Sequence, residues 1–138
     1  AEADDALKKA LQAIRQHCEG ECWLIFGCGG DRDEGKRPLM AAIAEQYADH
    51  LVITDDNPRT ENAENIVKDI VAGLKKPSLA HVQRDRRTAI EYAVSRADEN
   101  DCVLIAGKGH ETWQIVGDQK LPFDDRLIAA EYIAKRAA

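Results

Sequence analysis

Short apolar segments constrain the fold of this 138-residue chain more than any other sequence feature. The first covers residues 22–26 and the last covers residues 102–106, and each runs directly into a glycine-containing loop. Such segments are too short for buried helices and suit strands that are buried on both faces of a sheet. Residues 51–54 and a segment near residues 80–82 are predicted as two further strands.

Helical periodicity fills the intervals between these strands. Apolar residues recur there with a spacing of three and four, which is typical of helices that bury one face. Helices are therefore predicted over residues 5–17, from Pro38 to about residue 48, over residues 66–74 and over a segment that carries residues 90–97.

A different pattern closes the chain. Apolar segments flank Gly117 and Asp118, which suit a tight turn, and they predict a hairpin up to Phe123. A last helix follows, with Asp124 or Asp125 as its cap. The alternation of strands and helices predicts one domain over residues 1–138. Its fold class is α/β, with a Rossmann-like open, mostly parallel sheet, helices on both faces and the antiparallel hairpin at one edge.

Composition excludes several kinds of partner. The formal net charge of −6 argues against nucleic acid, which normally requires a clustered basic surface. No apolar run approaches the roughly 20 residues that span a bilayer, so no membrane partner is expected.

Four cysteines without a CxxC pair predict a reducing cytoplasm. Cys18 and Cys22 with a histidine could form a zinc site, but small buried thiols are the simpler interpretation, and no metal is assigned.

Polar loops follow three of the predicted strands, over residues 27–37, 55–60 and 107–112. In parallel α/β sheets, ligands bind outside the carboxyl ends of the strands. These three loops are therefore expected to converge at one edge of the sheet and to form the binding site.

The first loop has the GxxxxGK spacing of a phosphate-binding P-loop between Gly30 and Lys36. Arg37, however, stands where the magnesium-binding Ser or Thr belongs, and acidic residues crowd the loop. A GxGxxG interpretation fails too, because Arg32 occupies the position of the third glycine. Glycines that merely permit a tight turn, with solvated charges, remain an alternative for this loop.

The other two loops carry charges suited to an amino acid. Arg59 is a planar cation that matches a carboxylate, on a turn stiffened by Pro58. In the third loop, Lys108 can contact an anion and Glu111 can contact an amine, whereas His110 is either a base or a solvated side chain. Together with Arg32 of the first loop, these groups complement a zwitterion with an additional carboxylate.

Three segments, FGCGGDRDEGKRPLM, TDDNPRTE and AGKGHE, closely resemble the last domain of the Mur ligase family in order and spacing. The resemblance covers essentially the whole chain, from the opening helix to QIVGDQKLPFDDR and the final helix. Within the family, the DNPR string at residues 56–59 is typical of ligases that take meso-diaminopimelate. It differs in those that take lysine.

The resemblance implies a three-domain parent enzyme of the bacterial cytoplasm. One absent domain would bind UDP-MurNAc-L-Ala-D-Glu, and an absent central domain would bind ATP and Mg²⁺ and contain the catalytic residues. ATP would phosphorylate the γ-carboxylate of D-Glu, and the amine of diaminopimelate would attack the acyl phosphate. This domain, where Ala1 to Asp4 replace the usual His-Thr-Pro lead-in, is expected to bind diaminopimelate, to close over ATP and to be inactive alone.

The resemblance also implies roles for individual residues. Arg59 would hold the distal carboxylate, while Glu111 and the Gly107 carbonyl would face the distal amine. The residues expected around diaminopimelate are Arg32, Asp56, Asn57, Pro58, Arg59, Gly107 and Glu111. The residues expected to face the nucleotide are Gly30, Asp31 and Lys36.

Two alternatives stay open from sequence. One is a related Mur ligase domain for another amino acid such as lysine, which the DNPR string disfavours. The other is a non-catalytic signalling module of receiver type, suggested by acidic residues after strands and by Lys108 after a late strand. A receiver needs an acidic pair after its first strand, whereas here Asp55 and Asp56 follow the second.

Overall fold

The computed structural model describes residues 2–28, 35–56, 60–106, 113–116 and 119–122. No helix among these residues is long and apolar enough to cross a membrane. The helices are α1 Glu2–His17, α2 Lys36–Tyr47, α3 Ala63–Ala72 and α4 Arg86–Arg96, with a short 3₁₀ turn at Pro77–Leu79. The strands are β1 Cys22–Phe26, β2 His50–Ile53, β3 His81–Val82, β4 Cys102–Ile105, β5 Trp113–Val116 and β6 Gln119–Pro122.

Four parallel strands form the main sheet in the order β3-β2-β1-β4. The chain moves outward from β1 through β2 to β3 and then crosses back to place β4 on the other side of β1. The direction of strand addition therefore reverses between β1 and β4. Such a reversal opens a crevice at the carboxyl ends of the two strands, where α/β proteins bind their ligands.

The central strand β1 is buried on both faces, and its side chains alternate between two cores. Leu24 and Phe26 join the core that α1, α2 and α3 cover, which includes Leu11 and Ile70. Trp23 and Ile25 belong to the second core, whose helical part is the apolar face of α4 with Ile90 and Val94. Helices therefore lie on both faces of the sheet, as the sequence predicts.

Local sequence signals set the ends of α3 and α4. The Asn62 side chain accepts a hydrogen bond from the Glu64 N–H at 2.8 Å, and Asp85 accepts one from the Thr88 N–H at 3.1 Å. These are N-caps, which satisfy amides that have no partner inside the helix. At its other end α3 terminates at Gly73, where an added Cβ would lie 2.5 Å from the Cα of Pro38. That glycine allows α2 and α3 to pack closely.

The predicted elements agree with the structure in kind and approximately in their ends. The helix predicted to begin at Pro38 begins two residues earlier, because proline is tolerated in the first helical turn. The predicted antiparallel hairpin is present as the pair β5 and β6. Among the described residues these two strands make a two-stranded sheet of their own. The last helix, predicted from Asp124 or Asp125, lies outside the described residues.

Candidate functional site

The carboxyl ends of β1, β2 and β4 lie side by side, so the residues that lead into the three polar loops lie at one edge of the sheet. Asp56 lies there, half-buried, three residues after the end of β2, and Lys36 is the first residue of α2. The other predicted binding residues lie outside the described residues and stay predictions: Gly30, Asp31, Arg32, Asn57, Pro58, Arg59, Gly107 and Glu111.

The residues that directly follow the carboxyl end of a strand form its exit. The exits of β1 and β2 are in direct backbone contact at Gly27. The Thr54 N–H donates to the Phe26 carbonyl at 3.0 Å, which extends the ladder between the strands. A Cβ on Gly27 would lie 2.2 Å from the Thr54 carbonyl oxygen and 3.1 Å from the Asp56 nitrogen. Only glycine fits this approach, so Gly27 allows the backbone from Thr54 to the Asp56 nitrogen to pack against the end of β1.

Arg86, the first residue of α4, connects the exits of β2 and β4. Its side chain is 1% exposed. One guanidinium nitrogen donates to the Asp55 carbonyl at 3.2 Å, and another donates to the Ala106 carbonyl at 3.1 Å. These carbonyls belong to segments on opposite sides of β1, so one side chain bridges the two exits.

Arg37 makes the corresponding connection between α2 and α3. It is also 1% exposed, and it donates to both carboxylate oxygens of Glu61 at 2.6 and 2.7 Å and to Asp69 at 2.8 Å. These bonds, those to Glu61 foremost, raise the pKa of the guanidinium above its ordinary value. The residue that breaks the P-loop pattern is thus a buried ion-pair partner that holds the start of α3 beside the start of α2.

A further set of contacts fixes the backbone between β2 and β3. The Thr54 hydroxyl donates to the Arg84 carbonyl at 3.1 Å, and the Arg84 side chain lies 3.4 Å from the Asp55 carboxylate. Burial raises the pKa of Asp55, although Arg84 opposes that shift. Asp55 therefore supports the loop through Arg84, whereas the ligand contact of Asp56 stays a prediction.

Cys28 also lies at this edge, but its chemistry is that of a packing group. Burial raises the pKa of its thiol to about 12, so it stays protonated at neutral pH. Its sulfur lies 3.8 Å from the sulfur of Met40. Nowhere in the described ranges do three or more His, Cys, Asp or Glu side chains form a group that could hold a metal ion.

Sequence reasoning missed the structural roles of Arg37 and Arg86. Arg37 was noted only as a departure from the P-loop pattern, and Arg86 was not singled out. Their partners are 24 and 20 or more residues away in sequence, so no local pattern shows them. The one available signal was position: Arg37 directly precedes the helix predicted from Pro38, and Arg86 lies shortly before the helical segment that carries residues 90–97.

Comparison with known proteins identifies the family. Residues 1–109 match the family model described as Mur ligase, glutamate ligase domain. The chain belongs to this Mur ligase family. Membership in this family does not favour the receiver-type interpretation.

Two curated relatives of this Mur ligase domain carry the same name. These relatives, from Haemophilus influenzae strains Rd and PittGG, are 54% and 55% identical to it over 133 residues. Both are named UDP-N-acetylmuramoyl-L-alanyl-D-glutamate--2,6-diaminopimelate ligase. The match covers 96% of this chain but only 27% of each relative. The chain therefore spans about a quarter of the length of these relatives.

A solved structure agrees with this assignment. The structure of a UDP-N-acetylmuramoyl-L-alanyl-D-glutamate--2,6-diaminopimelate ligase superimposes with a TM-score of 0.93 at 39% sequence identity. The superposition covers 99% of the Mur ligase domain and 28% of that chain. The fold is thus that of one part of a larger ligase.

The described residues of the Mur ligase domain do not by themselves fit a magnesium nucleotide. Glu61 and Asp69 engage Arg37 at the position where a P-loop supplies its magnesium-binding hydroxyl. No metal-binding group is present in the part of the chain that the structure describes. No reaction step is therefore assigned to a metal held by these residues.

Proposed function

We propose that the protein carrying this domain joins meso-diaminopimelate to UDP-MurNAc-L-Ala-D-Glu with consumption of ATP, in the bacterial cytoplasm. The domain binds the diaminopimelate and closes over the nucleotide, while ATP and Mg²⁺ are bound mainly by other parts of the protein. The observation that carries the proposal is the 54% identity, over nearly the whole chain, to relatives named for this ligation.

The proposed reaction has two steps. The γ-phosphoryl group of ATP passes to the γ-carboxylate of D-Glu, which gives an acyl phosphate and ADP. An amine of diaminopimelate then attacks the acyl carbon, phosphate leaves, and the amine loses a proton as the amide forms. Phosphate is a far better leaving group than hydroxide, which is why the carboxylate is activated first.

In this proposal the domain contributes position rather than covalent chemistry. Diaminopimelate has an amine and a carboxylate at each end. If Arg59 and Glu111 hold the distal pair, the proximal amine is free to reach the acyl phosphate, and fixing that approach lowers the entropic cost of the reaction. Arg32, Asp56, Asn57, Pro58 and Gly107 complete the proposed diaminopimelate site. Gly30, Asp31 and Lys36 are proposed to face ATP.

The structural support for the proposal is the arrangement of the described strand exits. The residues that precede the proposed contacts of the second and third loops, Asp55 and Ala106, are tied together through Arg86. The Asp56 backbone is packed against Gly27 at the end of β1. A site assembled from these loops would rest on ordered backbone.

The decisive experiment replaces Arg59 in the full-length enzyme and compares meso-diaminopimelate with lysine. Lysine lacks the distal carboxylate, so it leaves the guanidinium without its partner. Arg59→Ala is expected to lower kcat/KM for diaminopimelate by roughly 10 to 100-fold while lysine use stays the same. Arg59→Lys should recover part of the loss, because a point charge does not reproduce two parallel hydrogen bonds.

Arg96→Ala provides the matched control. Arg96 is exposed at the end of α4, where it lies over the Tyr92 ring, and its loss removes the same charge without touching the strand exits. This variant should keep the wild-type preference. If wild-type enzyme prefers lysine, the proposed specificity is wrong. If Arg59→Ala retains full discrimination, the specificity lies elsewhere and the proposed role of Arg59 is wrong.

A further inference from the structure

We propose that Arg86 is a positioning residue for amino-acid binding, because it sets the distance between the backbone exits of β2 and β4. The inference rests on the proposed function and deepens it. Arg86 touches no substrate in this proposal. It acts through the two chain segments whose carbonyls it holds.

The geometry separates this role from simple packing. The guanidinium is buried, and it donates to two backbone carbonyls, those of Asp55 and Ala106, that lie on opposite sides of β1. Asp55 directly precedes Asp56, and Ala106 directly precedes Gly107. A change in either bond therefore moves the point at which a proposed binding loop leaves the sheet.

The helix that carries Arg86 has its own sources of stability. The Asp85 side chain caps its first turn, and the Ala89 N–H donates to the Asp85 carbonyl at 2.9 Å. Ile90 and Ala93 are fully buried against the sheet. Since α4 is anchored by these contacts, its first residue can transmit the helix position to both strand exits.

The side-chain chemistry explains why arginine suits this place. A guanidinium presents donors in a rigid planar fork, so it can reach two separate carbonyls at once. A lysine ammonium at the same depth is a single point on a flexible stem and cannot span both acceptors with the same geometry. Methionine preserves approximate length without any donor and leaves both carbonyls without this partner.

The test uses the full-length enzyme with Arg86→Lys and Arg86→Met, and Arg96→Met as the control at the opposite end of the same helix. For each variant the KM values for meso-diaminopimelate and for UDP-MurNAc-L-Ala-D-Glu are measured, together with kcat and thermal unfolding. Arg86→Met is expected to raise the KM for diaminopimelate about tenfold and to leave the other KM within about twofold. Arg86→Lys should fall between wild type and Arg86→Met.

The outcomes separate the possible roles. A purely structural residue would reduce the amount of active enzyme, so kcat would fall with both KM values unchanged, and the proposal would be overturned. Equal increases in the two KM values, or failure of both variants to fold, would overturn it as well. If wild-type enzyme instead prefers another amino acid, the proposed function fails. The change in the KM for that amino acid in Arg86→Met then tests the positioning role of Arg86.

Discussion

The two ends of the parallel sheet use opposite charges to complete the hydrogen bonding of the backbone. At the amino end, Asp49 accepts from the Cys22 N–H at 2.7 Å, and Asp101 accepts from the N–H groups of Glu21 and Asp98. At the carboxyl end, Arg86 donates to two carbonyls. Parallel strands present amides at one end and carbonyls at the other, so backbone polarity selects acids for one end and a cation for the other.

The charged side chains at the two ends of the sheet also differ in burial. Arg86 and Arg37 are 1% exposed at the carboxyl end, whereas Arg15, which pairs with Asp49 at the amino end, has 46% of its side chain exposed. Water can replace lost partners more readily at the amino end than at the carboxyl end. Substitutions of the same type should therefore cost more where the candidate site lies.

The largest difference is expected between the buried ion pairs of Arg37 and the exposed ion pair of Arg15. Arg37→Met removes the buried partner of Glu61 and Asp69 and should lower the free energy of unfolding by roughly 3 kcal/mol, near the low end for buried pairs because Asp69 keeps access to water. Arg15→Met removes an exposed pair and should cost less than about 1 kcal/mol. Urea unfolding of both variants measures the difference. Equal losses would show that the contrast in burial has no energetic consequence.

A second pair of variants compares glycines at the two ends. Gly27→Ala places a Cβ 2.2 Å from the Thr54 backbone oxygen, so the β2 exit must shift, and a loss of about 1 to 3 kcal/mol is expected. At Gly20 the nearest atom to an added Cβ is a side-chain oxygen of Asp101, at 2.3 Å. The Asn100 carbonyl oxygen would lie 2.8 Å away. Gly20→Ala should still be milder, since Gly20 and Asn100 are exposed in a turn that can shift, whereas Gly27 is buried between two strand ends. Thermal unfolding midpoints provide the measurement, and a milder Gly27→Ala would contradict the proposed rigidity of the β2 exit.

The smallest expected effect is a difference in response to acid. Hydrogen bonds from the Asp98 and Glu21 amides, together with the Trp23 indole, lower the pKa of Asp101. Its contribution to stability is therefore present above the ordinary aspartate pKa of about 3.9 and is lost as the pH falls through the lowered value. Asp55 has the opposite sign, because burial raises its pKa and the folded state takes up a proton first.

Denaturant midpoints at about pH 6 and about pH 3 would measure this contrast. Asp101→Asn should reduce the loss of stability on acidification. Asp55→Asn should increase it, since it removes a group that offsets the loss. Identical pH dependence in the two variants would mean that the ends do not differ electrostatically in this way.

Much of the fold follows from local sequence, and the remainder depends on long-range contacts. The bounds of β1 were predicted correctly because a strand buried on both faces has an uninterrupted apolar sequence between polar turns. The order β3-β2-β1-β4 was not predicted, because nothing in the sequence of β4 states which strand it will pair with. The predicted starts of α1 and α2 lie a few residues later than the observed ones, Glu2 and Lys36. Sequence patterns define helix ends poorly, and in α2 the proline lies inside the first turn rather than at the first residue.

The candidate site shows the same division. Convergence of the loops at one edge was predicted from parallel topology, and the parallel pairing of β1, β2 and β4 agrees with it for the residues that lead into the loops. The roles of Arg37 and Arg86 were not predicted, because burial and distant partners define them. The diaminopimelate contacts of Arg32, Arg59, Gly107 and Glu111 stay predictions.

The position of β4 beside β1 has a consequence for synthesis of the protein. Glu21, just before β1, and Asp101, just before β4, are 80 residues apart in the chain. At roughly 5 to 20 residues per second, a ribosome needs about 4 to 16 seconds to make the intervening segment. Throughout that interval the nascent β1 has at least one unpaired edge, which is a template for association with other chains. Within this domain, the first strand to be made is thus the last to obtain its second neighbour.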